Sequence, residues 1–92
     1  MITRVELSRR AEKDLLSVPL HIAIKLRDWR RDVETLGLEE VRKIPGFHDE
    51  PLKGKRLGQR SVRLNRDFRA IYVIKKNGVE FVSIEEVNKH DY

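Results

Sequence analysis

The chain has 92 residues, no cysteine and a formal net charge of +5. A chain of this length supports a single hydrophobic core, so we predict one domain over residues 1–92. The composition excludes disulfides and thiolate metal sites, and no apolar segment approaches the roughly 20 residues that span a membrane. The opening MITRVELSRR lacks the apolar stretch of a secretory signal, so we expect a cytoplasmic protein.

The first third of the chain predicts a strand and two helices. The alternating stretch TRVEL, residues 3–7, is typical of a short strand, and Ser8 can cap a short first helix. Pro19 suits the start of a second helix, and Gly37 suits its end before a further helical turn. The second helix carries an apolar stripe at helical spacing, formed by Ile22, Leu26, Trp29, Val33 and Leu36. We therefore expect Trp29 in the core.

Strands dominate the last third of the chain. Two prolines and three glycines between Ile44 and Gly58 predict an irregular loop. The runs RSVRLN, RDFRAIYVIKK and VEFVSIEEVNK follow, and Asn77–Gly78 predicts a type I′ turn between the last two. The predicted fold is α+β, in the order β-α-α-β-β-β, with two helices packed on one face of a small sheet.

A two-residue turn would place Arg69 opposite Glu86, and Ile71 and Val73 opposite Ile84 and Val82. Asn88, His90 and Tyr92 would then share the face of Arg69, unless a bulge after Glu86 reversed them. The other face, toward the helices, would carry Phe68, Ile74, Phe81 and Val87. Arg69 and Glu86 could equally form an ordinary surface ion pair, worth under about 1 kcal/mol.

The positive charge is concentrated in one part of the chain. Seven basic residues and one acidic residue lie between Lys53 and Arg69, so the net charge of this basic segment exceeds that of the whole chain. One-sided charge on an otherwise balanced domain favours a polyanionic partner, and nucleic acid is the commonest.

The segment EPLKGKRLGQRSVRLNRDFRAIYVI resembles the RelE/ParE superfamily of bacterial toxins. Glu50-Pro51-Leu52-Lys53, the strand FRAIY and a terminal His and Tyr are most similar to the ribosome-dependent mRNA interferases of the RelE, YoeB and HigB groups. The resemblance implies a RelE-like fold with a mostly antiparallel sheet, cleavage of mRNA in the A site of the 70S ribosome, and a cognate antitoxin protein. The chain departs from YoeB at Gln59 and Arg60, where YoeB has aromatic residues, and at Asp91, which separates His90 from Tyr92.

By the same resemblance, the catalytic residues are Glu50, Arg69, His90 and Tyr92. RNA supplies its own 2′-hydroxyl nucleophile, so the reaction needs a base such as Glu50, an acid such as His90, and a cation such as Arg69 at the phosphorus. His48 is an alternative base. We expect no metal and no cofactor, because the three histidines are far apart in sequence and lack ligand spacing.

The remaining cations of the basic segment are expected to bind ribosomal RNA. They are Lys53, Lys55, Arg56, Arg60, Arg63 and Arg66. An antitoxin segment would compete with RNA for this charge. Two other functions stay open: a ParE-like inhibitor of DNA gyrase, which has no use for the catalytic residues, and a non-catalytic RNA-binding module.

Overall fold

A computed structural model describes residues 1–89 of the chain. Along the chain, it has β1 (Val5–Leu7), α1 (Arg9–Leu15), α2 (Leu20–Leu36), α3 (Leu38–Val41), β2 (Glu50–Pro51), β3 (Arg60–Arg63), β4 (Phe68–Asn77) and β5 (Val79–Lys89). The sheet has the strand order β1-β5-β4-β3-β2, and only the β1–β5 pair is parallel among the described strands. The predicted α+β fold is confirmed, and the further helical turn expected after Gly37 is the short helix α3. The two-residue strand β2 is an addition, because it lies in the segment predicted to be an irregular loop.

The helices pack on one face of the sheet through the predicted apolar stripe. Trp29 is 1% exposed, and its ring lies 5.4 Å from the ring of Tyr72 on β4. Leu36 departs from the prediction, because it is the last residue of α2 and is 46% exposed. Within residues 1–89, no helix has the length and apolarity needed to cross a membrane.

The β4–β5 hairpin forms as predicted, but its register differs. Asn77 pairs with Val79, and within this turn only Gly78 has a positive φ. A type I′ turn needs a positive φ at both of its central residues, so this turn is not type I′. This shift by one residue places Val82 and Ile84 opposite Ile74 and Tyr72. Val82 and Ile84 therefore belong to the core on the helix side, and not to the face of Arg69 as predicted.

A β-bulge then shifts the register a second time. Tyr72 pairs with Ile84 and Ile71 pairs with Glu86, so Glu85 is the extra residue in β5. Beyond the bulge, Arg69 lies opposite Asn88. The predicted pairing of Arg69 with Glu86 is therefore wrong, although both residues do lie on the same face of the sheet.

The predicted core face is also only partly correct. Val87 is buried and Phe68 packs against the core, as expected. Ile74, however, is 38% exposed. Phe81 pairs with Lys75 on the opposite face, where the Arg4 guanidinium lies 5.6 Å from its ring centroid.

Helix α1 holds the bulged part of β5. The Ser8 hydroxyl donates to the Glu85 carbonyl at 2.7 Å, and the Ser8 backbone N–H donates to the Ile84 carbonyl at 2.9 Å. Near the end of α1, the Asp14 carboxylate accepts the Val87 backbone N–H at 3.0 Å. Because β1 ends at Leu7, these contacts satisfy backbone groups of β5 that no neighbouring strand pairs.

Ser8→Ala is expected to lower the free energy of unfolding by about 2 kcal/mol. The change removes the bond to Glu85 and also the N-cap bond, in which the Ser8 hydroxyl accepts the Ala11 N–H at 3.0 Å. Urea denaturation measures the loss, with Ser17→Ala as the control because Ser17 is exposed. Equal stabilities of the two variants would contradict the role assigned to Ser8.

Candidate functional site

A buried carboxylate anchors the loop that leads into β2. The Asp49 side chain is 1% exposed and accepts the Arg60 Nε–H at 2.7 Å. Its second oxygen accepts the Tyr72 hydroxyl at 2.6 Å, and the Arg42 Nε–H donates to that hydroxyl at 3.3 Å. Burial, followed by the bond to Asp49, raises the pKa of Tyr72 to about 12. The loop is thus fixed to β3, β4 and the end of α3.

The residues on either side of Asp49 are exposed and meet each other. His48 has φ 45° and ψ 51°, a left-handed conformation that histidine adopts more often than most residues. Its Nε2 lies 3.4 Å from Glu50 Oε2, and both side chains are about half exposed. The two candidate bases, His48 and Glu50, therefore form one imidazole–carboxylate pair.

This pair lies at one side of a cleft on the sheet face opposite the helices. The cleft is lined by His48, Glu50, Ser61, Arg63, Asn65, Phe68 and Arg69. Strand pairing brings these residues together, because Glu50 lies opposite Ser61 and Arg63 lies opposite Arg69. The structure therefore places the predicted residues Glu50 and Arg69 in one site.

Two arginines that line this cleft occupy directly opposite positions on neighbouring strands. Arg63 on β3 is exposed, Arg69 on β4 is partly buried, and the two are direct cross-strand partners. Like charges at directly opposite positions destabilise a sheet unless another charge compensates them. An anion bound in the cleft would supply that compensation, and a phosphate matches the planar fork of arginine.

Arg69 is held at one edge of its guanidinium. Its Nε–H donates to Asn88 Oδ1 at 3.3 Å. Within residues 1–89, its terminal nitrogens have no hydrogen-bond partner, so they can take a ligand. The ion pair with Glu86 considered from the sequence does not form, because Glu86 instead contacts Arg10 and Arg56.

The structure divides the basic segment into two groups. Arg60 pairs with Asp49, and Arg56 pairs with Glu86 at 3.2 Å and donates to Gln59 at 2.9 Å. Both arginines, predicted to bind RNA, thus have partners inside the domain. The exposed cations of the segment are Lys53, Lys55, Arg63 and Arg66.

Two predicted catalytic residues, His90 and Tyr92, lie outside the described residues. Lys89 pairs with Phe68, so β5 reaches the end of the sheet that carries Arg69. Within residues 1–89, no three histidine or acidic side chains cluster as a metal site requires.

Sequence reasoning missed four residues that build the site. Asn65 Oδ1 accepts the backbone N–H groups of Asp67 and Phe68, both at 2.8 Å, and so shapes the turn before Arg69. The Asn-x-Asp pattern of that turn was a usable signal. Asp49 and Tyr72 gave no comparable signal, because each acts through partners distant in sequence. Asn88 was predicted on the face of Arg69, where it lies, but without a role.

No protein-family model and no curated protein matches this sequence. Solved structures, in contrast, match it over nearly its whole length. It is similar to YafQ from E. coli strain BL21(DE3), with 18% identity, a TM-score of 0.74, and coverage of 94% of this chain and 91% of that one.

Two toxin–antitoxin complexes also contain a similar chain. One is the archaeal RelE–RelB complex from Pyrococcus horikoshii OT3, with 23% identity, a TM-score of 0.70, and coverage of 97% of this chain and 96% of that one. The other is RelBE2 from Mycobacterium tuberculosis, with 20% identity, a TM-score of 0.70, and coverage of 98% and 100%. The chain therefore has the fold of the RelE-like toxins, as its sequence resemblance predicted.

Tyr72→Phe tests the anchor of the site through its pH dependence. The unfolded tyrosine ionises near pH 10, whereas the folded one keeps its proton to about pH 12. The unfolded state therefore binds fewer protons between these values, and wild-type stability falls as the pH rises through them. The variant lacks this loss.

Wild type should exceed Tyr72→Phe in stability by about 1–2 kcal/mol at pH ~8, from the lost hydrogen bonds. This difference in stability should narrow at pH ~11, because only the wild type then loses stability by keeping Tyr72 protonated in the folded state. Urea denaturation of both proteins at both pH values measures it. A stability difference that does not change with pH would contradict the role of Tyr72 in the anchor.

Proposed function

We propose that this protein is the toxin of a type II toxin–antitoxin pair and that it cleaves mRNA on the ribosome. The observation that carries the proposal is the cleft in which Arg63 and Arg69 face each other beside the His48–Glu50 pair. A base for the 2′-hydroxyl and positive charge at the phosphorus are two of the three groups that phosphodiester cleavage requires. The RelE-like fold supports the same function by analogy alone.

The chemistry we propose uses the 2′-hydroxyl of the RNA as nucleophile. The His48–Glu50 pair takes the hydroxyl proton, and the 2′-oxygen attacks the adjacent phosphorus. Arg69 binds two phosphoryl oxygens through its terminal nitrogens, and Arg63 adds a second positive charge as the phosphorane forms. The bond from phosphorus to the 5′-oxygen breaks, and the leaving oxygen takes a proton. The products are a 2′,3′-cyclic phosphate and a 5′-hydroxyl.

His90 remains our proposed acid for the 5′-oxygen, and Tyr92 remains a proposed catalytic residue. Both assignments rest on the sequence resemblance. The base assignment is sharper, because His48 and Glu50 are in contact. In one arrangement, the Nε2–H of His48 donates a hydrogen bond to Glu50, and Nδ1 of His48 takes the 2′-hydroxyl proton. In the other, His48 is a histidinium and Glu50 takes that proton.

For the ribosome contact, we propose the exposed cations Lys53, Lys55, Arg63 and Arg66. Lys53 and Lys55 flank Gly54 in the loop that leaves β2, close in sequence to Glu50. We give Arg56 and Arg60 a supporting role, because their guanidinium groups already hold Glu86 and Asp49.

The proposed partners are a cognate antitoxin protein, the 70S ribosome and mRNA, in the cytoplasm. Similar solved chains occur in complexes whose names include RelB and YefM. We propose that the antitoxin segment covering the cleft is acidic, because it would replace a phosphate between Arg63 and Arg69.

Inhibition of DNA gyrase is the second candidate function, because the resemblance extends to ParE toxins. Expression of the protein in cells, followed by mapping of transcript ends, separates the two. Cuts within translated regions support mRNA cleavage. Intact transcripts together with arrested supercoiling would instead support the gyrase function, and intact transcripts without it would leave a non-catalytic RNA-binding module.

Arg69→Lys is expected to fold normally and to lose cleavage of ribosome-bound mRNA by about 100-fold or more. Lysine keeps the charge but cannot bind two phosphoryl oxygens with a planar fork. Single-turnover cleavage and thermal unfolding are measured together, with Arg31→Lys on the exposed face of α2 as the matched control. Wild-type cleavage by Arg69→Lys would refute the role of Arg69.

Lys53→Ala combined with Lys55→Ala should weaken ribosome association and lower its salt dependence. Each lost phosphate contact reduces the log–log slope by roughly one unit, so the expected change is about two. Lys13→Ala with Lys76→Ala removes the same charge outside the basic segment and should leave the slope nearly unchanged. Equal slopes for the two double variants would show that Lys53 and Lys55 bind no phosphate.

A further inference from the structure

The cleft face of the sheet holds a buried carboxylate that the proposed chemistry does not use. Glu86 on β5 is 7% exposed. Its oxygens lie 3.2 Å from Arg56 Nη2 and 3.6 Å from Arg10 Nη1. One of them also accepts a hydrogen bond from the Asn88 amide nitrogen. Two cations and an amide donor therefore satisfy this carboxylate.

Glu86 fixes which way the Asn88 amide points. A carboxylate only accepts hydrogen bonds, so the amide nitrogen of Asn88 must face it, and the amide oxygen must face away. That oxygen accepts the Arg69 Nε–H at 3.3 Å. A continuous chain of donors and acceptors thus runs from Glu86 through Asn88 to Arg69.

These hydrogen bonds leave the phosphate-binding edge of the Arg69 guanidinium available. With Nε engaged by Asn88, the two terminal nitrogens form the remaining edge of the guanidinium fork. Long side chains lose rotamer entropy when they bind a ligand, and a second contact that fixes the side chain beforehand reduces that cost. Asn88 supplies such a contact on the strand directly beside Arg69.

We propose that Glu86 and Asn88 are positioning residues, which hold Arg69 in the orientation that binds the phosphoryl group during RNA cleavage. The inference rests on the proposed function. Glu86 orients the amide of Asn88, and Asn88 orients the guanidinium of Arg69. Neither residue touches the RNA.

A purely structural role for Glu86 makes a different prediction. Its contacts with Arg10 and Arg56 tie α1 and the loop after β2 to β5. If that were its whole role, exchange of donor and acceptor between positions 86 and 88 would restore nothing. The orientation of Arg69, in contrast, depends on one donor and one acceptor meeting between positions 86 and 88.

The test is a double-mutant cycle with Asn88→Asp, Glu86→Gln and the two combined. Asn88→Asp places two carboxylates side by side and should lower kcat by about 10-fold or more. In the combined variant, the amide at position 86 donates to the carboxylate at position 88, whose other oxygen accepts from Arg69. Its kcat should return to within about 3-fold of wild type.

A combined variant whose kcat is only the product of the two single losses would overturn the proposal. KM for the ribosome is followed separately, because Glu86→Gln also weakens the hold on Arg56 and can disturb the loop that carries Lys53 and Lys55. A change confined to KM would likewise count against positioning of Arg69.

A second measurement tests the hydrogen bond between Asn88 and Arg69 without any RNA cleavage. The Arg69 Nε–H resonance of the free protein should exchange slowly with water in wild type and faster in Asn88→Ala. Asn77→Ala, at the other end of the same hairpin, is the matched control and should leave the resonance unchanged. An identical Arg69 resonance in wild type and Asn88→Ala would refute the positioning role.

The two measurements also separate this inference from the proposed function. If wild type cleaves no RNA, the proposed function fails, and the resonance still decides whether Asn88 holds Arg69. If Arg69→Lys is inactive while Asn88→Asp and Asn88→Ala cleave normally, the proposed function stands and the positioning role is wrong.

Discussion

The extra residue Glu85 in β5 decides which side chains share the cleft with Arg69. Ile84 points toward the helices, and regular alternation would send Glu86 and Asn88 the same way. The bulge reverses this alternation, so Val87 enters the core while Glu86 and Asn88 join Arg69 on the other face. Because β1 ends at Leu7, this part of β5 has backbone groups without a strand partner, and Ser8 and Asp14 bind the Glu85 carbonyl and the Val87 N–H. The contact between α1 and β5 therefore supports the site as well as the fold.

Two buried carboxylates organise the basic segment. Asp49 binds Arg60 and Tyr72, and Glu86 binds Arg56 and Arg10. Buried carboxylates are costly unless paired and hydrogen-bonded, and each of these has at least two partners. The pairing ties Arg56, in the loop between β2 and β3, to β5, and it ties Arg60, the first residue of β3, to the segment before β2. Part of the positive charge thus supports the fold, whereas Lys53, Lys55 and Arg63 are exposed to an anionic partner.

Much of the fold followed from local patterns in the sequence. The helical stripe placed Trp29 in the core, Ser8 capped α1 as predicted, and the β-rich runs formed the hairpin. The faces of the hairpin could not be derived this way, because register errors move every side chain to the other face. Here the register departs from the predicted one at Gly78 and again at Glu85. The two departures together return Glu86 and Asn88 to their predicted face, whereas Val82 and Ile84, which lie between them, are on the other face.

The site was predictable to a smaller extent. The resemblance named Glu50 and Arg69, and strand pairing brings both into the cleft. The burial of Asp49 and Glu86 was not predictable from local sequence, because their partners Tyr72, Arg10 and Arg56 are distant along the chain. For the same reason, charge alone could not separate the arginines that support the fold from the cations left exposed.

In the proposed function, the cleft promotes attack by the 2′-hydroxyl of an RNA bound on the ribosome. The most direct measurement is the chemical nature of the RNA ends that the purified wild-type protein produces from ribosome-bound mRNA. Attack by the 2′-hydroxyl leaves a 5′-hydroxyl on the downstream fragment and a 2′,3′-cyclic phosphate, or the 3′-phosphate formed from it by hydrolysis, on the upstream fragment. A 5′-phosphate on the downstream fragment, or mRNA that stays intact, would contradict it.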